Sequence, residues 1–151
     1  MTYQDLLEEE TTHSIIGAFY EVYNTLGYGF LEHIYIMALE RELRDRGHTV
    51  SRQTGVLVRY KESDLGYQRL DMIVDGKVVV ETKSTPKLAE AASRQLFNYL
   101  RATQLEVGLL LHFGPSARFV RLISSNEHAR REISSTPART ERGESEDASA
   151  H

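Results

Sequence analysis

Cysteine and tryptophan are both absent from this chain of 151 residues, and proline occurs only three times. Without a thiol there can be no disulfide, zinc–thiolate site, Fe–S cluster or cysteine nucleophile. The composition therefore suits a reducing compartment, and a cytoplasmic location is expected. No apolar run approaches the length of a membrane span, so no membrane partner is expected. The opening MTYQDLLEEE has neither the basic nor the apolar region of a signal peptide. Six histidines (His13, His33, His48, His112, His128 and His151) are scattered without any pair one helical turn apart. A zinc site is thus unexpected, and each His is assigned to a surface or an interface. Positive charge is also in short supply: the net charge of −4 excludes a generic polyanion binder.

What is present describes one globular domain, since 40% of residues are hydrophobic and 26% charged. The length gives a real core to one domain and is short for two. The charge is unevenly spread. Residues 84–131 hold seven Lys and Arg against three Glu, which permits a local phosphate-binding face on an acidic protein. A homo-oligomer or a protein partner stays open.

Apolar periodicity predicts a helix from about Tyr3 to Leu26, with Leu6, Ile16, Phe19, Tyr20, Tyr23 and Leu26 on a broad stripe. A second is predicted from Phe30 to Arg46, through Leu31, Ile34, Tyr35, Ala38, Leu39 and Leu43, stopping at Gly47. The period then changes to two, and residues 50–53, 56–60, 66–74 and 77–83 read as strands of a meander. Pro86 opens a third predicted helix reaching Ala102. EVGLLLHF, residues 106–113, reads as a strand covered on both faces, and residues 117–123 follow as the last strand. A domain over residues 1–133 and a disordered tail over 134–151 are expected, because SSTPARTERGESEDASAH lacks core residues. The order α-α-β-β-β-β-α-β-β is that of a single α/β domain with a mixed sheet flanked by helices.

The segment RLDMIVDGKVVVETKS, residues 69–84, places Asp71 and Glu81 inside strands, with Lys83 two residues beyond Glu81. Carboxylates are depleted in strands and costly to bury unpaired. Mg²⁺ takes one or two carboxylates, keeps waters and accepts phosphate oxygens, so this combination suits phosphodiester chemistry. A nearby ammonium can orient the attacking water or offset charge in the transition state. A solvated hairpin face with a surface ion pair explains the same residues without function.

Strand parity separates the two readings. A two-residue Asp75-Gly76 turn would pair Asp71 with Val80 and send Glu81 to the other face. A three-residue loop, Val74-Asp75-Gly76, would pair Asp71 with Val79 and put both carboxylates on one face as diagonal neighbours. A shared metal requires the odd-numbered loop or a bulge, with Glu32 on the same side of the sheet.

The third helix adds Gln95 and Tyr99, one turn apart, and Lys87, Arg94 and Arg101, which recur every seven residues beside an apolar stripe. The basic stripe is either a phosphate-binding surface or a solvated helix face. Glu32 opens the second helix, where its charge is favourable to the helix dipole in any case.

Gly29-Phe30-Leu31-Glu32-His33-Ile34-Tyr35, YQRLDMIVDGKVVVETK and RQLFNYL occur in the order found in the GxxExxY proteins, and the likeness runs from about residue 11 to 123. That family resembles a compact RecB-like branch of the PD-(D/E)XK nuclease superfamily, whose fold is restriction-endonuclease-like. The resemblance implies Asp71, Glu81, Glu32 and the main-chain carbonyl of Thr82 as metal ligands for Mg²⁺ or Mn²⁺. It implies Lys83 as the motif lysine, and Gln95 with Tyr99 as the element near the metal and the nucleic acid. Leu70 replaces the motif proline, and Thr82 stands where an aliphatic residue is usual, a change expected to fall on the opposite face. The function expected is a metal-dependent nuclease acting on nucleic acid, DNA before RNA. The alternative is a binding module that keeps the fold without cleaving.

Overall fold

A computed structural model of the chain describes residues 7–124 and 143–144. Among the described residues, three helices, α1 (Glu9–Leu26), α2 (Glu32–Asp45) and α3 (Glu90–Thr103), accompany eight strands. These are β1 (Val50–Arg52), β2 (Gly55–Tyr60), β3 (Ser63–Arg69), β4 (Met72–Val74), β5 (Val78–Lys83), β6 (Val107–Phe113), β7 (Ala117–Ile123) and β8 (Gly143–Glu144). The main sheet is ordered β1-β4-β5-β6-β7-β8, while β2 and β3 form a separate two-stranded sheet. In the main sheet β5 and β6 run parallel, joined by the α3 crossover, and the other described pairings are antiparallel. The expected mixed α/β sheet flanked by helices is what forms.

Two cores lie on opposite faces of the main sheet. On one, Ile15, Phe19, Tyr35, Leu39 and Leu43 of α1 and α2 pack on Val78, Val80, Leu109, Leu111 and Phe113. On the other, Leu96, Phe97, Tyr99 and Leu100 of α3 pack on Val79, Leu110, Val120 and Leu122. Alternation along β5 and β6 assigns these sides, since Val79 and Leu110 face α3 while their neighbours face α1 and α2. Burial on both sides explains the continuous apolar run of β6, buried at all seven positions. At Gly108 a Cβ would stand 3.0 Å from Leu96 Cδ1, so glycine lets α3 lie close against β6.

The expected meander is corrected in two places. The predicted strand 66–74 is two strands in two sheets, divided at Leu70–Asp71, and β1 pairs with β4 rather than with β2. The division has a backbone cause: Leu70 N–H donates to Thr54 O at 2.9 Å and Gln53 N–H to Asp71 O at 3.1 Å. Those bonds fasten the root of the β2–β3 hairpin where it leaves the main sheet, while Leu70 is buried in the α3-side core.

Helix bounds also shift. The predicted start of the first helix at Tyr3, and Leu6 of its stripe, lie outside the described residues. Leu31, expected on the α2 stripe, is 72% exposed and precedes the helix. The third helix starts at Glu90, not at Pro86. Thr85 Oγ1 donates to Lys87 O at 2.7 Å, a side-chain bond that competes with helix formation, and Ala89 is extended. Lys87 therefore sits on the loop before α3 rather than on its face. Within the expected tail, Gly143–Glu144 pair with Val120 and Arg121 of β7; the other residues of 134–151 lie outside the described residues.

Candidate metal and phosphodiester site

The turn after β4 combines both hairpin readings. Asp75 and Gly76 each adopt positive φ (54° and 64°), and Lys77 N–H returns to Val74 O at 3.0 Å. The ladder nevertheless pairs Val74 with Val78, which leaves Lys77 as an extra residue. The loop is thus three residues, Asp75-Gly76-Lys77, one position later than the sequence suggested. His48 Nδ1 lies 2.6 Å from Asp75 Oδ2, and Thr49 N–H donates to Asp75 Oδ1 at 2.9 Å, which fixes the loop. These bonds hold the Asp75 carboxyl below its ordinary range although burial works the other way.

The odd loop sets the parity. With Met72 opposite Val80, Asp71 falls opposite Glu81, so the carboxylates are directly opposed rather than diagonal. They replace the next rung of the ladder with side-chain bonds. Asp71 N–H donates to Glu81 Oε1 at 2.9 Å, and Thr82 N–H donates to Asp71 Oδ2 at 2.8 Å. Thr82 Oγ1 donates to the same Oδ2 at 3.1 Å. Thr82, expected in the site through its main-chain carbonyl alone, is fully buried and also bonds a site carboxylate through its hydroxyl. No donor among the described residues meets Asp71 Oδ1 or Glu81 Oε2.

Glu81 and Lys83 lie on the α3 side of β5, where they pair with Leu110 and His112 of parallel β6. Glu81 is only 6% exposed. Burial and the charge of Asp71 push its carboxyl up to about 8, against the Asp71 backbone bond and the Lys83 ammonium, which stabilise the ionised form. Glu32 is raised as well, by burial and by Asp71, with Lys83 opposing. The three carboxyls and the lysine thus share one electrostatic cluster.

Glu32 reaches this cluster by a route the sequence did not suggest. Its helix packs on the face opposite α3, and Glu32 lies in its first turn. Ser84 Oγ, one residue beyond Lys83, donates to Phe30 O at 2.8 Å. Tyr35 Oη donates to Gly27 O at 2.6 Å and accepts from Phe30 N–H at 3.1 Å. Its ring stacks on Phe113 with centroids 4.3 Å apart. Gly29 takes φ 114°, a conformation closed to ordinary side chains, between these anchors. The spacing of Gly29, Glu32 and Tyr35 thereby has a physical sense: glycine turns the loop, tyrosine clamps it, and the glutamate is presented.

Tyr99 and Gln95 come from α3. The Tyr99 hydroxyl is raised by burial and by the charges of Glu81 and Asp71, while a side-chain hydrogen bond with Gln95 lowers it. Tyr99 Oη also donates to Gln68 Oε1 of β3 at 3.2 Å. No local pattern separates Gln68 from other exposed strand positions, so the sequence alone does not single it out. A cleft of about 420 Å³ beside the cluster is lined by Lys83, Thr85, Lys87 and Gln95 with Leu88 and Ala92. Arg94 lies over the Phe97 ring at 5.7 Å, and Arg101 is exposed in the last turn of α3.

His112 corrects the expectation of surface histidines. It is 3% exposed, with Nε2 2.7 Å from Thr85 O and Nδ1 without a partner among the described residues.

No group of three His, Asp or Glu side chains among the described residues forms a ready-made metal cage. The donor set still fits a hard divalent cation. Two adjacent carboxylates each retain an oxygen that no described residue bonds, and Mg²⁺ completes its shell with water and phosphate oxygens. Residues 9–122 match the PD-(D/E)XK nuclease superfamily. Neither a curated protein nor a solved structure matches the chain.

Proposed function

For a chain that belongs to the PD-(D/E)XK nuclease superfamily, we propose a metal-dependent phosphodiesterase acting on nucleic acid, DNA being the first substrate to test. Within the superfamily, the clamped Gly29-x-x-Glu32-x-x-Tyr35 loop supports placement with the GxxExxY proteins. The linked Gln95 and Tyr99 support the RecB-like branch. The observation carrying the reading is the direct opposition of Asp71 and Glu81 on the face that also bears Lys83.

Asp71, Glu81 and Glu32 would hold Mg²⁺ or Mn²⁺, with the Thr82 carbonyl as a further ligand. Bound there, the ion supplies Lewis acidity toward a phosphoryl oxygen and lowers the pKa of a coordinated water. Thr82 fixes Asp71 through two donors to one oxygen and so aims the other outward. Lys83 orients the attacking water and offsets charge developing on the phosphoryl oxygens. Gln95 and Tyr99 hold the α3 wall beside Glu81. Lys87, with Arg94 and Arg101 further along α3, supplies sequence-independent phosphate contacts.

The test is incubation with labelled single- and double-stranded DNA and RNA, with Mg²⁺, with Mn²⁺ and with chelator. Cleavage that needs the cation and disappears in Glu81→Ala supports the proposal. Nucleic-acid binding indifferent to Mg²⁺, without cleavage of any substrate, would make the chain a binding module instead.

A further inference from the structure

The loop before α2 combines two properties that seldom occur together in a surface loop. It is held rigidly by the Tyr35 hydroxyl, which bonds Gly27 O and Phe30 N–H, and by Ser84 Oγ, which bonds Phe30 O. It also exposes large apolar side chains: Tyr28 is 45% exposed, Phe30 47% and Leu31 72%. The Phe30 ring stands edge-on to Tyr35 with centroids 6.1 Å apart, so a buried ring supports the exposed one. Scattered exposed apolar residues need no explanation, but three within four positions on a clamped loop do.

The position of the loop selects its occupant. Leu31 adjoins Glu32, and Phe30 is bonded to the residue after Lys83, so the patch borders the carboxylate cluster. A polymer that brings a phosphate to Lys83 and the carboxylates passes the end of β5, to which this loop is bonded. The cleft on the α3 side carries Lys83 and Lys87 and complements phosphate, whereas the loop itself, before Glu32, presents aromatic and aliphatic surface. Nucleobases supply the matching apolar faces. In a duplex those faces are buried in the stack, so the patch suits unpaired nucleotides.

We infer that Tyr28, Phe30 and Leu31 form a stacking platform for unpaired bases next to the phosphate bound at the site, which gives the protein a preference for single-stranded nucleic acid. The platform rests on the proposed function and adds the substrate form to it. Because Tyr35 and Ser84 hold the loop in advance, little ordering entropy opposes binding.

The experiment measures binding of fluorescent single-stranded DNA, its RNA counterpart and the duplex to the full chain in chelator, across a salt series. The variants are Phe30→Ser/Leu31→Ser, Tyr28→Ser and, to release the clamp while keeping the Phe113 stack, Tyr35→Phe. The expected result is a loss of roughly tenfold or more for single strands in the double variant, little change for duplex, and an unchanged salt slope. Melting temperature and sedimentation are recorded for each variant. Binding by the wild type with equal single-strand affinity in all variants overturns the platform alone. A wild type that binds no nucleic acid of any form overturns the proposed function along with it. A wild-type dimer that the double variant abolishes, with strand affinity intact, shows instead that a second copy covers the loop.

Discussion

Glu81 makes the stability of the metal-free protein depend on pH in the opposite sense to a salt-bridged carboxylate. Its folded carboxyl titrates near 8 against an ordinary value of 4.5. Between those values the folded chain carries a proton that the unfolded chain has lost, so the unfolded state binds fewer protons and stability falls as pH rises. The slope approaches about 1.4 kcal/mol per pH unit while the difference persists, several kcal/mol over the full window. Glu32, also raised, acts in the same direction. For a domain of this size that corresponds to roughly 3–6 °C in Tm per pH unit. The assay is thermal unfolding in chelator from pH 5.5 to 8.5, with Glu81→Gln beside the wild type. Wild-type Tm should fall across the range, and the variant, whose amide does not titrate, should show a much flatter profile. Mg²⁺ or Mn²⁺ should raise wild-type Tm most at the alkaline end, where the ionised carboxylates are free to bind it. A wild-type Tm that is flat or climbs with pH in chelator would refute the reasoning, as would an unchanged slope in Glu81→Gln.

Asp71→Ala, Glu81→Ala and Lys83→Ala should each abolish cation-dependent cleavage with non-additive losses, checked by single-turnover assays on variants shown to be folded by circular dichroism. Thr82→Val, which removes one donor to Asp71 Oδ2, should weaken Mn²⁺ binding about tenfold by calorimetry, and Thr82→Ser should restore it. Equal affinities for the valine and serine variants would remove the hydroxyl from the account. Replacing Lys87, Arg94 and Arg101 together should weaken nucleic-acid binding for all sequences and lower the salt slope by about one for each phosphate no longer neutralised. An unchanged slope would make them a solvated face.

Much of this protein is determined by local pattern. The three helices, the all-buried β6 and the strand carrying Glu81 follow from apolar periods of 3.6 and 2, because burial on one or two faces is written directly into residue spacing. The grouping of Asp71, Glu81 and Lys83 is also legible, since alternation and one turn bring them together. The turn itself marks where pattern ends. Asp75-Gly76 forms the reversal expected of it, yet Lys77 enters as an extra residue, and that single insertion decides which face Glu81 shares with Asp71.

Long-range contacts decided the rest. Leu70 divides one apparent strand into two because Thr54 and Gln53, far from it along the chain, claim the backbone around it. The Thr82 hydroxyl reaches Asp71, Gln68 meets Tyr99, and Ser84 ties the β5 end to Phe30; each bond joins residues separated by 11 to 54 positions. No periodicity encodes such bonds, because they depend on how separate elements meet. Glu32 is the clearest case: its helix lies on the face away from α3, and only the packing of Tyr35 on Phe113 and the clamped loop brings the carboxyl into the cluster.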